Sequence, residues 1–264
     1  GYVCPSHVLP LAVPGAVWAT LKTLFQRNSP LKVGPGVVLR NLGWFLGFAR
    51  RCNRRDMLAT GRNIQALLNS SRSLFDTLIR DEHIECEWET KGLLFVFQTP
   101  KHFEHYAHTD ALLTREFSLP AKRFDSAELA ALEPALKPGQ AGGYLYQSDA
   151  HLRPDKLMSE LRRVLLGLGV EIRENCAVSG FVKSGNRATA LRTNSGDIAA
   201  DQVVIATGAW TPLLNSELGC RIPIQPGKGY SLTMPRPAVC PTYPLIFEEH
   251  RVAVTPFASG YRLG

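Results

Sequence analysis

Three histidines, at 102, 105 and 108, recur every third residue, a spacing that gathers imidazoles on one helix face and raises the question of a metal. Phe103 and Tyr106 belong to the packed side of that helix, and no acidic or cysteine partner stands at zinc spacing. The triplet is read as a solvated face, and no metal site is expected. Six cysteines, at 4, 52, 86, 176, 220 and 240, form no CxxC pair and no cluster, so they are read as reduced thiols rather than zinc ligands or a disulfide framework. Neither a GxSxG elbow nor a P-loop occurs, which leaves hydrolase and kinase chemistry without an anchor. The one sequon, Asn69-Ser70-Ser71, falls in a helical pattern and is read as chance.

Composition permits a real core: 264 residues with 45% hydrophobic and 20% charged positions suit one large domain or two small ones. No run approaches the roughly 18 apolar residues of a membrane span, and the first twenty residues lack a signal peptide's basic start and apolar run. A cytoplasmic location is expected, with peripheral contact on the cytoplasmic face of a membrane as an addition. Charge is uneven, since residues 1–80 carry eleven Lys and Arg against Asp56 and Asp76, a net +9, and the remainder sums to −2. Such a field attracts anionic lipid, nucleic acid, acidic partners or anionic substrates. Trp18, Phe25, Trp44, Phe45 and Phe48 interleave with the basic residues as in an interfacial helix. Nucleic acid is not expected, because no recognition-helix signature accompanies the charge.

Hydrophobic periodicity predicts helices over 16–26, 37–52 and, most clearly, 56–81, where Ile64, Leu67, Leu68, Leu74, Phe75, Leu78 and Ile79 repeat at three and four. From His83 to Glu89 polar residues alternate with Ile84, Cys86 and Trp88, which predicts a strand paired through Lys91-Gly92 with Leu93–Phe97 as a hairpin over 83–98. The alternating Glu85, Glu87 and Glu89 would form the wet face of an edge strand. A helix follows from Pro100 to about Phe117, Asp125 and Glu128 mark a capped helix start, and Gly142–Gln147 reads as a strand. Pro154 and Asp155 open a helix whose apolar face is Leu157, Leu161, Val164, Leu165 and Leu168. Short strands are predicted at 170–173, 177–183 and 187–193, with a turn at Asn194-Ser195-Gly196. Gln202-Val203-Val204-Ile205-Ala206 then reads as a parallel strand buried on both faces, followed by Thr207-Gly208 and a helix opened by Trp210.

That order of helix, strand, meander and buried strand ending in Ala-Thr-Gly resembles the second half of the dinucleotide-binding domain of flavoproteins in the FAD-dependent D-amino-acid oxidase and dehydrogenase superfamily. Further matches run along nearly the whole chain. Gly1-Tyr2-Val3 resembles the end of the glycine-rich segment that passes the flavin ring. Glu133-Pro134-Ala135-Leu136 and Gly142-Gly143 are similar to family elements, as is Asp149-Ala150-His151-Leu152-Arg153-Pro154. Asp201 to Pro212, DQVVIATGAWTP, resembles the second flavin-contact signature, and Pro226-Gly227-Lys228-Gly229-Tyr230-Ser231 is most similar to the bacterial D-amino-acid dehydrogenase branch, the small subunit. The opening GxGxxG strand has no counterpart, and Gly34-Pro35-Gly36 is no substitute because Pro35 removes a backbone donor. Starting at Gly1 and stopping in a strand-like run at Tyr261–Gly264, the chain is expected to be a fragment lacking both ends.

The resemblance implies an α/β fold in which an α+β substrate domain, residues 16–150 and 221–264, is inserted in a Rossmann-like FAD-binding domain, residues 1–15 and 151–220, truncated at both termini. It implies oxidation of a D-amino acid, with hydride passing to FAD and the imino acid hydrolysing to a 2-oxo acid and ammonia. The resemblance leaves the electron acceptor open between oxygen, as in an oxidase, and a quinone of the respiratory chain, as in a membrane-docked dehydrogenase. Gly1, Tyr2 and Val3 would pass the flavin, Val178 would pair with the adenine edge, and Thr207 and Gly208 would stand at the strand end facing the cofactor. Lys228 would supply positive character near the flavin or substrate, Tyr230 a hydroxyl in the active site, and Arg251 or Arg262 a planar fork for the substrate carboxylate. Tyr144, Tyr146 and His151 carry the same ambiguity as Tyr230 between the active site and core packing. Alone, the chain is expected to be inactive. The alternatives are a non-catalytic remnant and a membrane-surface binding protein that uses its basic first third.

Overall fold

The computed structural model describes residues 1–24, 35–220 and 222–264, in two compact units. The larger comprises Gly1–Val164 and Tyr230–Gly264, the smaller Leu165–Gly229.

In the larger unit, strand β1 (Tyr2–Val3) precedes helices α1 (Ala16–Leu24), α2 (Pro35–Arg40), α3 (Leu42–Arg51) and α4 (Arg54–Asp81). The helix expected over 37–52 is two helices: Asn41 leaves helical geometry at ψ 25°, and its side-chain amide donates to the Val37 carbonyl at 2.9 Å. Such local side-chain bonding competes with the helical ladder. Asn53 caps α4, its side chain accepting from the Asp56 amide. Next come β2 (Leu93–Phe97), α5 (Pro100–Phe117), β3 (Lys122–Asp125), α6 (Ser126–Leu132), β4 (Gly142–Tyr146), β5 (Ala150–His151) and α7 (Pro154–Gly167). Thr99 caps α5 ahead of Pro100, and Asp125 with Glu128 forms the complete capping box at α6.

The smaller unit holds a meander, β6 (Val178–Ser184), β7 (Arg187–Thr193) and β8 (Gly196–Ala199), then a 3₁₀ helix Gly208–Leu214 and α8 (Asn215–Leu218). The chain returns to the larger unit with β9 (Leu232–Met234), β10 (Leu245–Phe247), β11 (Val252–Pro256) and β12 (Tyr261–Leu263). These complete a seven-stranded sheet in the order β3-β4-β2-β10-β11-β12-β9, parallel at β2 and β10 and antiparallel elsewhere. β2 is buried at every position, as a central strand covered on both faces must be. Phe95 and Phe97 meet Phe103, Leu113 and Phe117 of α5, while Leu94 and Val96 meet Leu129, Leu145, Leu245 and Val254.

Two sequence motifs have plain physical causes here. The buried Glu133 carboxylate accepts from the amides of Thr242 at 2.6 Å and Tyr243 at 2.9 Å, tying the approach to β10. Gly142 lies at φ 158°, and a Cβ there would come within 2.5 Å of the Phe103 ring.

Three expected strands are absent. Residues 83–89 form no strand, so there is no 83–98 hairpin, because both edges of β2 are taken by β4 and β10. His83 and Glu87 adopt left-handed φ of 50° and 52°, which a ladder does not accommodate. The alternation is nonetheless real as burial: Ile84 and Cys86 pack with Leu152, Leu157 and Leu161. Nor is Glu87 on a wet face, since its side chain is 10% exposed and bonded to Lys156 at 2.8 Å. Residues 170–173 run without a strand. Residues 202–206 form none either, and Val204 is 89% exposed. A strand buried on both faces needs neighbours on both edges, and no described strand pairs with this one.

Candidate functional site

In the larger unit the candidate residues gather around β1. Tyr2 pairs with His151 and Val3 with Ala150, and Gly1 and Leu152 extend the ladder, the Leu152 amide donating to the Gly1 carbonyl at 2.9 Å. A Cβ on Gly1 would sit 3.0 Å from the Pro154 ring, so this position favours glycine. The Tyr2 hydroxyl donates to the Val254 carbonyl at 3.1 Å, and burial, opposed by a hydrogen bond to Thr255, pushes its pKa up to about 12. Tyr2 is thus a packed, neutral phenol that ties β1 to the large sheet. His151 is fully buried, its Nε2 3.2 Å from the Pro256 carbonyl and its Nδ1 without a partner. Burial holds its imidazole below the usual pKa. Tyr144 and Tyr146 lie in the core, Tyr146 hydroxyl to Tyr106 hydroxyl at 3.1 Å, which favours packing for both.

Of the two guanidinium forks, Arg262 lies near β1. It donates to the Ser231 hydroxyl at 2.6 Å, and its charge is felt at Gly1. β12 pairs it with Thr255. Arg251 occupies the exposed turn between β10 and β11 at φ 53°. Four residues of extended chain separate Arg251 from Thr255, about 13 Å, so the sheet register does not bring Arg251 to β1. Tyr230, 81% exposed, runs into Ser231 and past Gly264. Beside this region Arg153 grips both carboxylate oxygens of Asp155 at 3.0 Å and donates to Ser259 at 2.5 Å. Ser259 and Lys156 both bond Glu87. Burial raises the Glu87 pKa, but those bonds outweigh it and hold the carboxyl down to about 2.

In the smaller unit Val178 opens β6, whose only described partner strand is β7, so its other edge presents backbone groups. Thr207 and Gly208 lead the 3₁₀ helix; the Thr207 hydroxyl lies 3.0 Å from that of Thr211, and Gly208 has φ 52° with open space where a Cβ would project. Lys228 lies on the exposed, irregular stretch 222–229. The open β6 edge leaves backbone groups available to pair with a planar ligand, and the uncrowded Gly208 allows one to approach the backbone closely, the two features the FAD reading asks of these positions. No GxGxxG turn for the pyrophosphate occurs among the 264 residues.

Residues 32–264 match the FAD dependent oxidoreductase (DAO) family. The whole chain aligns with a D-amino acid dehydrogenase of Rhizorhabdus wittichii at 30% identity over 269 residues, and with one of Granulibacter bethesdensis at 28%. Both alignments cover 64% of the relative, so the chain spans less than two thirds of the length of the proteins it matches. Among solved structures, glycine oxidase from Geobacillus kaustophilus is similar with a TM-score of 0.68 at 21% identity, over 76% of this chain and 55% of that one. That likeness speaks for the fold.

Proposed function

The chain belongs to the DAO family of FAD-dependent oxidoreductases, and from that premise we propose that it carries the substrate side and part of the cofactor side of an enzyme that oxidises D-amino acids. The alignment of every residue of the chain with D-amino acid dehydrogenases carries this reading. FAD supplies the hydride acceptor. The protein's task is position and field: Gly1, Tyr2 and Val3 along the flavin ring, Val178 at the adenine edge, Thr207 and Gly208 at the cofactor-facing turn. Lys228 supplies positive charge where reduction builds negative charge, and Tyr230 a hydroxyl beside the substrate. Arg262 is favoured over Arg251 for the substrate carboxylate, because it alone of the two lies beside Gly1 and Ser231. Loss of hydride from Cα leaves an imino acid, which water converts to the 2-oxo acid and ammonia. The residue division into a flavin-binding part, 1–15 and 151–220, and a substrate part, 16–150 and 221–264, belongs to the same proposal.

Peripheral membrane contact is proposed for the basic helical segment, with a quinone as electron acceptor. No helix among the described residues is long and apolar enough to cross a membrane. α3 buries none of its residues, Leu39, Leu42 and Leu46 are exposed, and Arg40, Arg50, Arg51, Arg54 and Arg55 are exposed beside them. Apolar side chains flanked by cations suit an anionic bilayer surface.

The test uses the full-length protein with its flavin, mixed anaerobically with D-alanine and other D-amino acids. D isomers bleach the flavin and L isomers leave it oxidised. Bleaching by no D isomer, or by L isomers instead, rejects the reading. Arg262→Ala raises KM by about 10- to 150-fold, the value of a charge-assisted hydrogen bond of about 1.5 to 3 kcal/mol.

A further inference from the structure

We propose that Cys4, His7 and Asp149 form a binding site for a divalent transition-metal ion of the zinc type. The flavin reading plays no part in this proposal. Cys4 and His7 stand three apart on the turn that leaves β1, the His7 amide donating to the Cys4 carbonyl at 3.1 Å. Asp149 immediately precedes β5, the partner of β1, and the pairing of Val3 with Ala150 makes Cys4 and Asp149 neighbours across the ladder. One ligand atom from each of the three residues lies within 4.8 Å of the other two.

The donor set matches the ion. A thiolate, a carboxylate and a neutral imidazole carry two negative charges, which a divalent cation neutralises, and mixed sulfur, nitrogen and oxygen donors suit zinc. Asp149 is 0% exposed and Cys4 8%, yet no Lys or Arg pairs with Asp149 among the described residues. His7 is the titratable base that faces Asp149, and a divalent cation compensates a buried carboxylate more fully than a neutral imidazole does.

Supporting contacts are also present, and His7 reaches solvent. Asp149 accepts from the Ser6 hydroxyl at 2.6 Å, the Ser6 amide at 3.0 Å and the Ser148 hydroxyl at 3.3 Å, which fixes its orientation. Ser6 Oγ also lies 3.2 Å from His7 Nδ1, and the His7 ring packs on Phe95 with centroids 5.8 Å apart. A tetrahedral zinc site needs donor atoms about 3.5 Å apart, so the three must draw together. His7, exposed to solvent, is the ligand that would turn inward, giving up its contacts with Ser6 and Phe95, and leaves a fourth position for water.

The experiment is a cobalt(II) titration of the reduced protein after chelator treatment. One equivalent produces a near-ultraviolet thiolate-to-cobalt charge-transfer band, and one equivalent of zinc(II) abolishes it. Cys4→Ser removes the band, whereas Cys240→Ser retains it. Ser6→Ala lowers cobalt affinity by about 10- to 100-fold, as loss of a ligand-orienting contact does, and His7→Ala lowers it further. Because His7 is exposed, that variant reports on the site even if Cys4→Ser fails to fold. Absence of the band in the wild type, its persistence in Cys4→Ser, or an affinity unchanged by His7→Ala overturns the site.

Discussion

Ser6 binds the Asp149 carboxylate twice, its hydroxyl donating to one oxygen at 2.6 Å and its amide to the other at 3.0 Å, across 143 residues of sequence. Both groups are buried, so the pair anchors the first turn of the chain to the β4–β5 connection. Ser6→Ala strips the carboxylate of its shortest contact and is expected to cost about 1.5 to 3 kcal/mol. Urea unfolding checks this: the midpoint falls while the slope stays constant.

Gly142 offers a second test of packing. The Phe103 ring and the Phe124 carbonyl stand 2.5 and 2.6 Å from where a Cβ would be, in the middle of the aromatic cluster. Gly142→Ala must displace β4 or the ring, at a cost of about 1 to 3 kcal/mol. The companion variant Phe103→Leu, Gly142→Ala relieves part of the overlap and recovers stability, as a thermal melt of the two variants would show.

Acid sensitivity follows from Glu87. Its folded pKa, about 2, lies below the ordinary value of 4.5, so the stabilisation is complete above the unfolded pKa and is lost as pH falls toward 2. Glu87→Gln is therefore less stable than the wild type at pH 7, and the two converge near pH 2. Unfolding measured at intervals from pH 7 to pH 2 displays the convergence, and a gap independent of pH contradicts it.

Membrane contact is tested at α3. Sedimentation with vesicles containing anionic lipid pellets the protein, neutral vesicles pellet less, and added salt reverses the difference. Arg50→Glu combined with Arg51→Glu reverses two charges, and at about 1 kcal/mol per basic residue it reduces binding by more than tenfold. Equal pelleting with neutral and anionic vesicles counts against the surface.

Much of this protein was legible in its residues. Periodicity fixed the long helices, with Pro100–Phe117 agreeing to the residue, and Asp125 with Glu128 announced a capping box that is fully formed. Local hydrogen-bond chemistry decides such elements, and it is written in neighbouring residues. The family, too, was readable from motifs spread along the chain.

Tertiary structure decided the rest, because it depends on which edges and faces are taken. The alternation from His83 to Glu89 was genuine burial, yet β4 and β10 already flank β2, and the segment meets β5 in one isolated bridge, Glu89 to His151, rather than in a ladder. Val203–Ile205 has the composition of a central strand and no described neighbours to make it one. Arg251 and Arg262 are alike as residues, and the register of β12 with β9 sets Arg262 beside Ser231, near Gly1. Cys4, His7 and Asp149 show no metal spacing along the chain. The pairing of β1 with β5 brings them together, and that contact spans a sequence separation no local pattern encodes.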